Sequence, residues 1–383
     1  MPVHRSTAQQ LPTRLADTTF WRMMTDFSEP WGVFRSENFV SNETSYQWII
    51  PELAATVKPG AVYLGVAPDQ NFTYIVSLRP QIAFIVDIRH QNAVQHLLYK
   101  SLIETSANRA EFLAKLFSRK PLAGVDTSST IVALFDALAN TTPDSLRYKE
   151  NMRAVRERLM KFHGFALSDS ELVSLECVYG AFYSQGQTLT YNYSSECRNP
   201  GSFGGGFRGG GGGGGGGGRM GGFGMPSYIG IMLENDGAGG DHGYLASEAN
   251  FRALKDMEER NLIVPLTGNF AGPKTLRTVG QWVRDRGAKI GAFYVSNVEQ
   301  YLFMQDDEAV RFYKNVETLP TDASSTFIRS YSGGGYGGGM SSLQLKQQSG
   351  RSMQLISSIG DVLLAFQKDE LHSWLDVIQR SRQ

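Results

Sequence analysis

The sequence predicts an α/β fold, a mostly parallel sheet with helices on both faces, and three observations predict it. Short, almost wholly apolar runs recur at residues 61–66 (AVYLGV), 82–88 (IAFIVDI), 262–266 (LIVPL) and 290–295 (IGAFYV), the pattern of strands buried on both faces. Stretches of helical spacing separate them, and such alternation marks parallel βαβ units. Hydrophobic residues make up 41% of the 383 positions, enough for a sizeable core.

Residues 1–60 read as an N-terminal helical and lid segment. Phe20, Trp21, Met24 and Phe27 are spaced to pack one helix, and a polar run from Glu37 to Tyr46 lies between aromatic stretches. Residues 61–297 form the main α/β domain. The Pro59-Gly60 turn opens its first strand at 61–66, a short helix follows at 70–78, and the strand at 82–88 carries a single carboxylate, Asp87. From 92 to 117, Val94, Leu97, Leu98, Leu102, Phe112, Leu113 and Leu116 have the spacing of one or two amphipathic helices. A helical block, 120–185, contains helices at 128–139, 144–163 and 168–183. Its basic cluster, including Arg147, Arg153 and Arg156, reads as a solvated helix face.

Glycine then dominates. Of 42 glycines, 17 fall between Gly201 and Gly224; such a run loses much backbone entropy on ordering and has little to bury, so 198–226 is expected to be a disordered insertion. Beyond it the pattern predicts a strand at 228–233, a helix at 248–259, a strand at 262–266, a helix from Pro273 to Arg286 with proline at its first position, and a strand at 290–295. Residues 298–383 extend the same domain with further strand and helix, closing on an amphipathic helix marked by Leu371, Trp374, Leu375 and Ile378.

Several function classes fall away. Lys plus Arg and Asp plus Glu each number 37, so no net field draws nucleic acid, and a nucleic-acid partner is not expected. No apolar run reaches the roughly 18 residues of a membrane span. Cys177 and Cys197 form no CxxC and no zinc spacing, which excludes a disulfide framework and points to a reducing, cytoplasmic setting. Histidine spacing predicts no metal site. The absence of a GxSxG elbow and of a P-loop removes hydrolase and nucleotide-triphosphatase readings.

In parallel sheets ligands bind beyond the carboxyl ends of the strands, which selects four loops. The first holds Gly65, Ala67, Pro68, Gln70 and Asn71; the second holds Asp87 and Arg89, with Asp87 22 residues after Gly65. A βαβ unit brings these two loops together, where an acid can accept from both hydroxyls of a ribose. The third loop contains Asn269 and Lys274. Lys274 opposes the dipole of the helix it starts unless a negative group sits nearby, so a bound carboxylate or phosphate is one expectation and a solvated lysine the other. The fourth loop contains Asn297 and Glu299. Asn42 and Glu43, in the lid segment, complete the candidate substrate contacts.

The strand, loop, helix and strand ending in Asp87 resemble the cofactor half of class I S-adenosylmethionine-dependent methyltransferases, a Rossmann-like fold. The GxGxG pattern of that family is replaced by Gly65, Ala67 and Asp69. A fuller resemblance is to an uncharacterised bacterial family of hypothetical proteins with a methyltransferase-like fold. It is carried by FSEPWGVFRSENFVSNE (27–43), YLGVAPDQNFTYI (63–75), FIVDIRHQN (84–92), YLASEANF (244–251), LIVPLTGNFAGPKTLR (262–277) and FYVSNVEQYLF (293–303). The resemblance implies S-adenosylmethionine as cofactor, with Asp87 on the ribose, the 65–71 loop against the amino-acid portion, and methyl transfer to a small molecule. A non-catalytic Rossmann-like protein that binds a nucleoside or metabolite is the alternative.

Overall fold

The structure is a computed structural model that describes residues 10–34, 36–191, 225–331 and 352–382. The expected insertion, 198–226, lies outside the described residues except for its last two positions, and so does Cys197. Cys177 is disulfide-bonded, against the expectation that the cysteines form no disulfide, which removes the ground that expectation gave for a reducing setting.

Five strands, β1 (Val62–Gly65), β2 (Ile82–Asp87), β3 (Ile263–Thr267), β4 (Ile290–Ser296) and β5 (Thr326–Tyr331), run parallel. A sixth, β6 (Met353–Ser358), is antiparallel to β5 at the edge. The order across the sheet is β3-β2-β1-β4-β5-β6, that of dinucleotide-binding sheets except for the reversed edge strand. Pro265 cannot donate to a ladder and is accommodated because β3 is the opposite edge. Strand order reverses between β1 and β4. Right-handed crossovers therefore place the helices joining β1 to β2 on one face and those joining β4 to β5 on the other.

The helices are α1 (Asp17–Asp26), α2 (Ile50–Thr56), α3 (Gln70–Leu78), α4 (His90–Glu104), α5 (Arg109–Leu116), α6 (Ile131–Ala139), α7 (Ser145–Glu157) and α8 (Asp169–Gln185), followed by α9 (Tyr228–Met232), α10 (Glu248–Glu259), α11 (Thr275–Asp285), α12 (Val298–Leu302), α13 (Glu308–Val316), α14 (Ile359–Gln367) and α15 (Trp374–Gln379). A π-helical turn, Arg158–Phe162, continues α7. In α8 a capping box, Ser168 with Glu171, fixes the start. None of the described helices is long and apolar enough to cross a membrane.

The helix α4 is buried on nearly every side, because the helical block covers the face that its amphipathic pattern assigns to water. That burial requires its charges to be paired. Lys100 Nζ lies 2.6 Å from Glu104 Oε1, and Glu104 Oε2 accepts from Arg158 Nε and faces His163 Nε2, each at 2.8 Å. Burial works to raise Glu104, yet the His163 hydrogen bond and the Lys100 charge hold it down at about 2.

Three sequence expectations are corrected. Residues 228–232 form α9 and not a strand: Ser227 Oγ accepts from Gly230 N, and Tyr228, Ile231 and Met232 bury one helical face. The helix expected from Pro273 begins at Thr275, so Pro273 precedes it. In α15 the buried face is Trp374, Val377 and Ile378, while Leu375 is exposed.

Candidate functional site

A cavity of about 400 Å³ opens at the carboxyl ends of β1 to β4, at the point where strand order reverses, and residues 33, 34, 38 and 40–43 form one of its walls. Among the described residues nine non-glycine positions have left-handed backbone, and three of them line it: Asn38 (φ 51°), Ala67 (φ 68°) and Ser296 (φ 53°). Such conformations disfavour side chains and concentrate at functional sites.

Of the candidate residues, Asn42, Glu43, Ala67, Pro68, Asp87, Arg89, Asn269 and Asn297 line the cavity. Gly65, Gln70, Asn71, Lys274 and Glu299 do not, and each has a local reason. Asn71 Nδ2 donates to the carbonyls of Val66 (2.8 Å), Ala67 (3.0 Å) and Pro68 (2.7 Å), while its Oδ1 accepts from Tyr63 OH at 2.9 Å. A Cβ on Gly65 would lie 1.9 Å from that Oδ1. Gly65 is glycine to admit Asn71, so the loop is closed from within.

Gln70 acts on the lid. Its Oε1 accepts from Ser41 Oγ, and its Nε2 donates to Glu43 Oε2 at 3.1 Å. Glu43, 4% exposed, also accepts from Tyr294 OH (2.8 Å), Gln354 Nε2 (3.2 Å) and Ser296 Oγ. A β-bulge between Tyr294 and Ser296 in the β4–β5 pairing accompanies the left-handed Ser296. Burial raises the Glu43 carboxyl above its ordinary range, and the four hydrogen bonds oppose that rise in part.

Asp87 lines the cavity as the spacing predicts, but its carboxylate is already engaged. Oδ1 accepts from Arg89 N (2.8 Å) and Nε (3.0 Å), and Oδ2 accepts from Arg89 Nη2 at 2.7 Å. A carboxylate has about four acceptor positions, so one remains, on Oδ2. The Asp87 carboxylate therefore lacks the two free acceptor positions that a grip on both hydroxyls of a ribose would need. Arg89 Nη1 also donates to Glu37 O and ties this pair to the lid.

The negative group that the Lys274 position calls for is part of the chain. Glu29 accepts from Lys274 N and Thr275 N, both at 2.7 Å, and from Asn269 N at 3.4 Å. Lys274 Nζ donates to Ser28 O at 2.8 Å. The amides at the start of α11 are thus filled, and a Cβ on Gly272 would lie 2.0 Å from Glu29 Oε2. Glu299 is likewise structural: Arg329 Nε and Nη2 donate to it at 2.5 and 3.1 Å and Tyr313 OH at 2.7 Å, all buried.

Sequence reasoning missed Tyr294 and Gln354, and it placed Ser296 at the start of the fourth loop without making it a contact. Tyr294 and Ser296 share a face of β4 two residues apart, a readable signal; Gln354 lies on β6, whose mixed composition gave none.

A family model described as Domain of unknown function (DUF7790) matches residues 38–169 and 227–358. No curated protein matches the chain.

Proposed function

By that match the chain belongs to the DUF7790 family, and we propose that it is a methyltransferase-like protein binding S-adenosylmethionine, or a related nucleoside, in this cleft to act on a small molecule. One observation carries the reading: the cavity sits where strand order reverses, with the carboxylate that ends β2, Asp87, in its wall, the place where open α/β sheets bind nucleosides. Its volume of about 400 Å³ falls within the range of small-molecule sites. Asp87 would accept one ribose hydroxyl through Oδ2, with Arg89 fixing the carboxylate. Residues 66–68, whose carbonyls are turned onto Asn71, would present the edge of the loop to the ligand. Asn42, Glu43, Asn269 and Asn297 would contact the acceptor, and alignment of donor and acceptor would supply much of the rate.

A second reading, a non-catalytic nucleoside or metabolite binder, is favoured by the closure of Gly65 beneath Asn71, since that glycine offers a ligand no close approach. Calorimetric titration with S-adenosylmethionine, S-adenosylhomocysteine, NAD and NADP tests both. Binding of the two adenosyl compounds with turnover of an acceptor supports the first reading, and their binding without turnover supports the second. Binding of NAD alone overturns the first reading.

A further inference from the structure

Taking the cleft as the ligand site, we infer that the ligand group seated against Glu43 is a soft cation, a sulfonium or quaternary ammonium centre. Three acids line the cavity: Glu43, Asp87 and Glu308. Asp87 is paired with Arg89 at 2.7 Å and Glu308 with Arg311 at 3.1 Å. Among the described residues no basic side chain pairs with Glu43; its four partners, Ser296, Tyr294, Gln70 and Gln354, are all neutral donors. Three of them bond Oε2 and one bonds Oε1, so Oε1 retains an acceptor position.

A buried carboxylate without a counter-ion is costly, and a cation placed beside it recovers much of that cost. The same cavity is lined by Phe34, Tyr191, Phe270, Tyr294 and Tyr301. Aromatic faces attract ammonium and sulfonium groups and do little for anions. An unpaired carboxylate in an aromatic-lined cleft is thus complementary to a soft, weakly hydrated cation. Burial, which raises the Glu43 carboxyl, works in the same direction, since a cation beside it favours its ionisation and a neutral group does not.

Two probe pairs of nearly equal shape test this by calorimetry on the full chain: S-adenosylmethionine against S-adenosylhomocysteine, which has the same amino-acid portion but is neutral at sulfur, and choline against its uncharged tert-butyl isostere. The expected result is that the cation binds roughly tenfold tighter or more in wild type, and that E43Q, shown folded by its melt, loses the preference. If neither adenosyl compound binds but choline still exceeds its isostere, the nucleoside reading fails and the cation site stands. Equal or tighter binding of the neutral member in any pair that binds, failure of both cations to bind, or a preference that survives in E43Q overturns it. The wild-type comparison is decisive even if E43Q does not fold.

Discussion

Asp87 and Arg89, two residues apart at the end of β2, are joined by three hydrogen bonds, from the Arg89 backbone N and both Nε and Nη2 to the Asp87 carboxylate. Both side chains are almost wholly buried. Replacing Asp87 by Asn therefore leaves a buried guanidinium without its charge partner, and Asp87→Asn should lose roughly 3 kcal/mol of stability. The double variant Asp87→Asn/Arg89→Met should be less destabilised than the single one. Chemical denaturation of the three proteins measures this, and a single variant as stable as wild type would show that the pair carries no structural weight.

Glu29 and the start of α11 hold the lid. Removing the carboxylate orphans the amides of Lys274 and Thr275, so Glu29→Ala should cost about 1–3 kcal/mol and speed proteolysis within residues 27–34. Glu29→Gln, which keeps an acceptor oxygen, should have the smaller effect. Limited proteolysis with mass-spectrometric mapping reads the outcome, and unchanged cleavage in Glu29→Ala would show that the lid is held elsewhere.

These two relationships mark the limit of what could be read in advance. The strands β1 to β4 were legible because both faces of each are buried, which leaves continuous apolar runs. By contrast β5 (TFIRSY) and β6 (MQLISS) carry Arg329, Ser330 and Gln354 inward. Their burial is tolerated because Glu299 accepts from Arg329, Glu43 accepts from Gln354 and Gln354 in turn donates to Ser330, a long-range fact that no local pattern shows. The YIGIM stretch was misread because a short apolar run fits strand and buried helix alike. In the site, spacing placed Asp87 in the cleft wall. It could not show that Arg89 occupies most of that carboxylate, or that Glu29, some 245 residues before Lys274, supplies the expected anion.

Burial of Asp69 pushes its carboxyl up to about 7 from an ordinary 3.8, and hydrogen bonding from the backbone, from Tyr244 OH at 3.3 Å and from Tyr99 opposes that rise only in part. Between these values the folded chain keeps a proton that the unfolded chain has shed, so the stability Asp69 contributes is full below about 4 and is lost as pH rises through 7. The melting temperature should fall from pH 5 to pH 8 and fall less in Asp69→Asn. Some decline should persist, because burial likewise raises Glu234 to about 7 and Glu258 to about 8. Equal slopes in the two proteins would contradict the assignment.

The Gly-rich tract should be dispensable for folding. Its flanks are already joined, since Thr190 and Ser227 form an antiparallel bridge and Tyr228 N donates to Leu189 O at 2.8 Å. Closing a shorter loop between them costs little entropy. Replacing residues 201–224 by a short Gly-Ser linker should leave the melting temperature within a few degrees, and a broad, non-cooperative melt would show that the tract is structural.

The central claim is that the cleft between β1 and β4 is the ligand site. Hydrogen-exchange mass spectrometry of the full chain, with and without saturating S-adenosylmethionine, tests it most directly. Slowed exchange is expected, confined to peptides containing residues 33–34, 38–43, 66–68, 86–89, 191, 268–270, 294–298 and 301–308, which line or border the cavity. Protection elsewhere in the chain, or none at all at a concentration where S-adenosylmethionine is soluble in large excess, would contradict it.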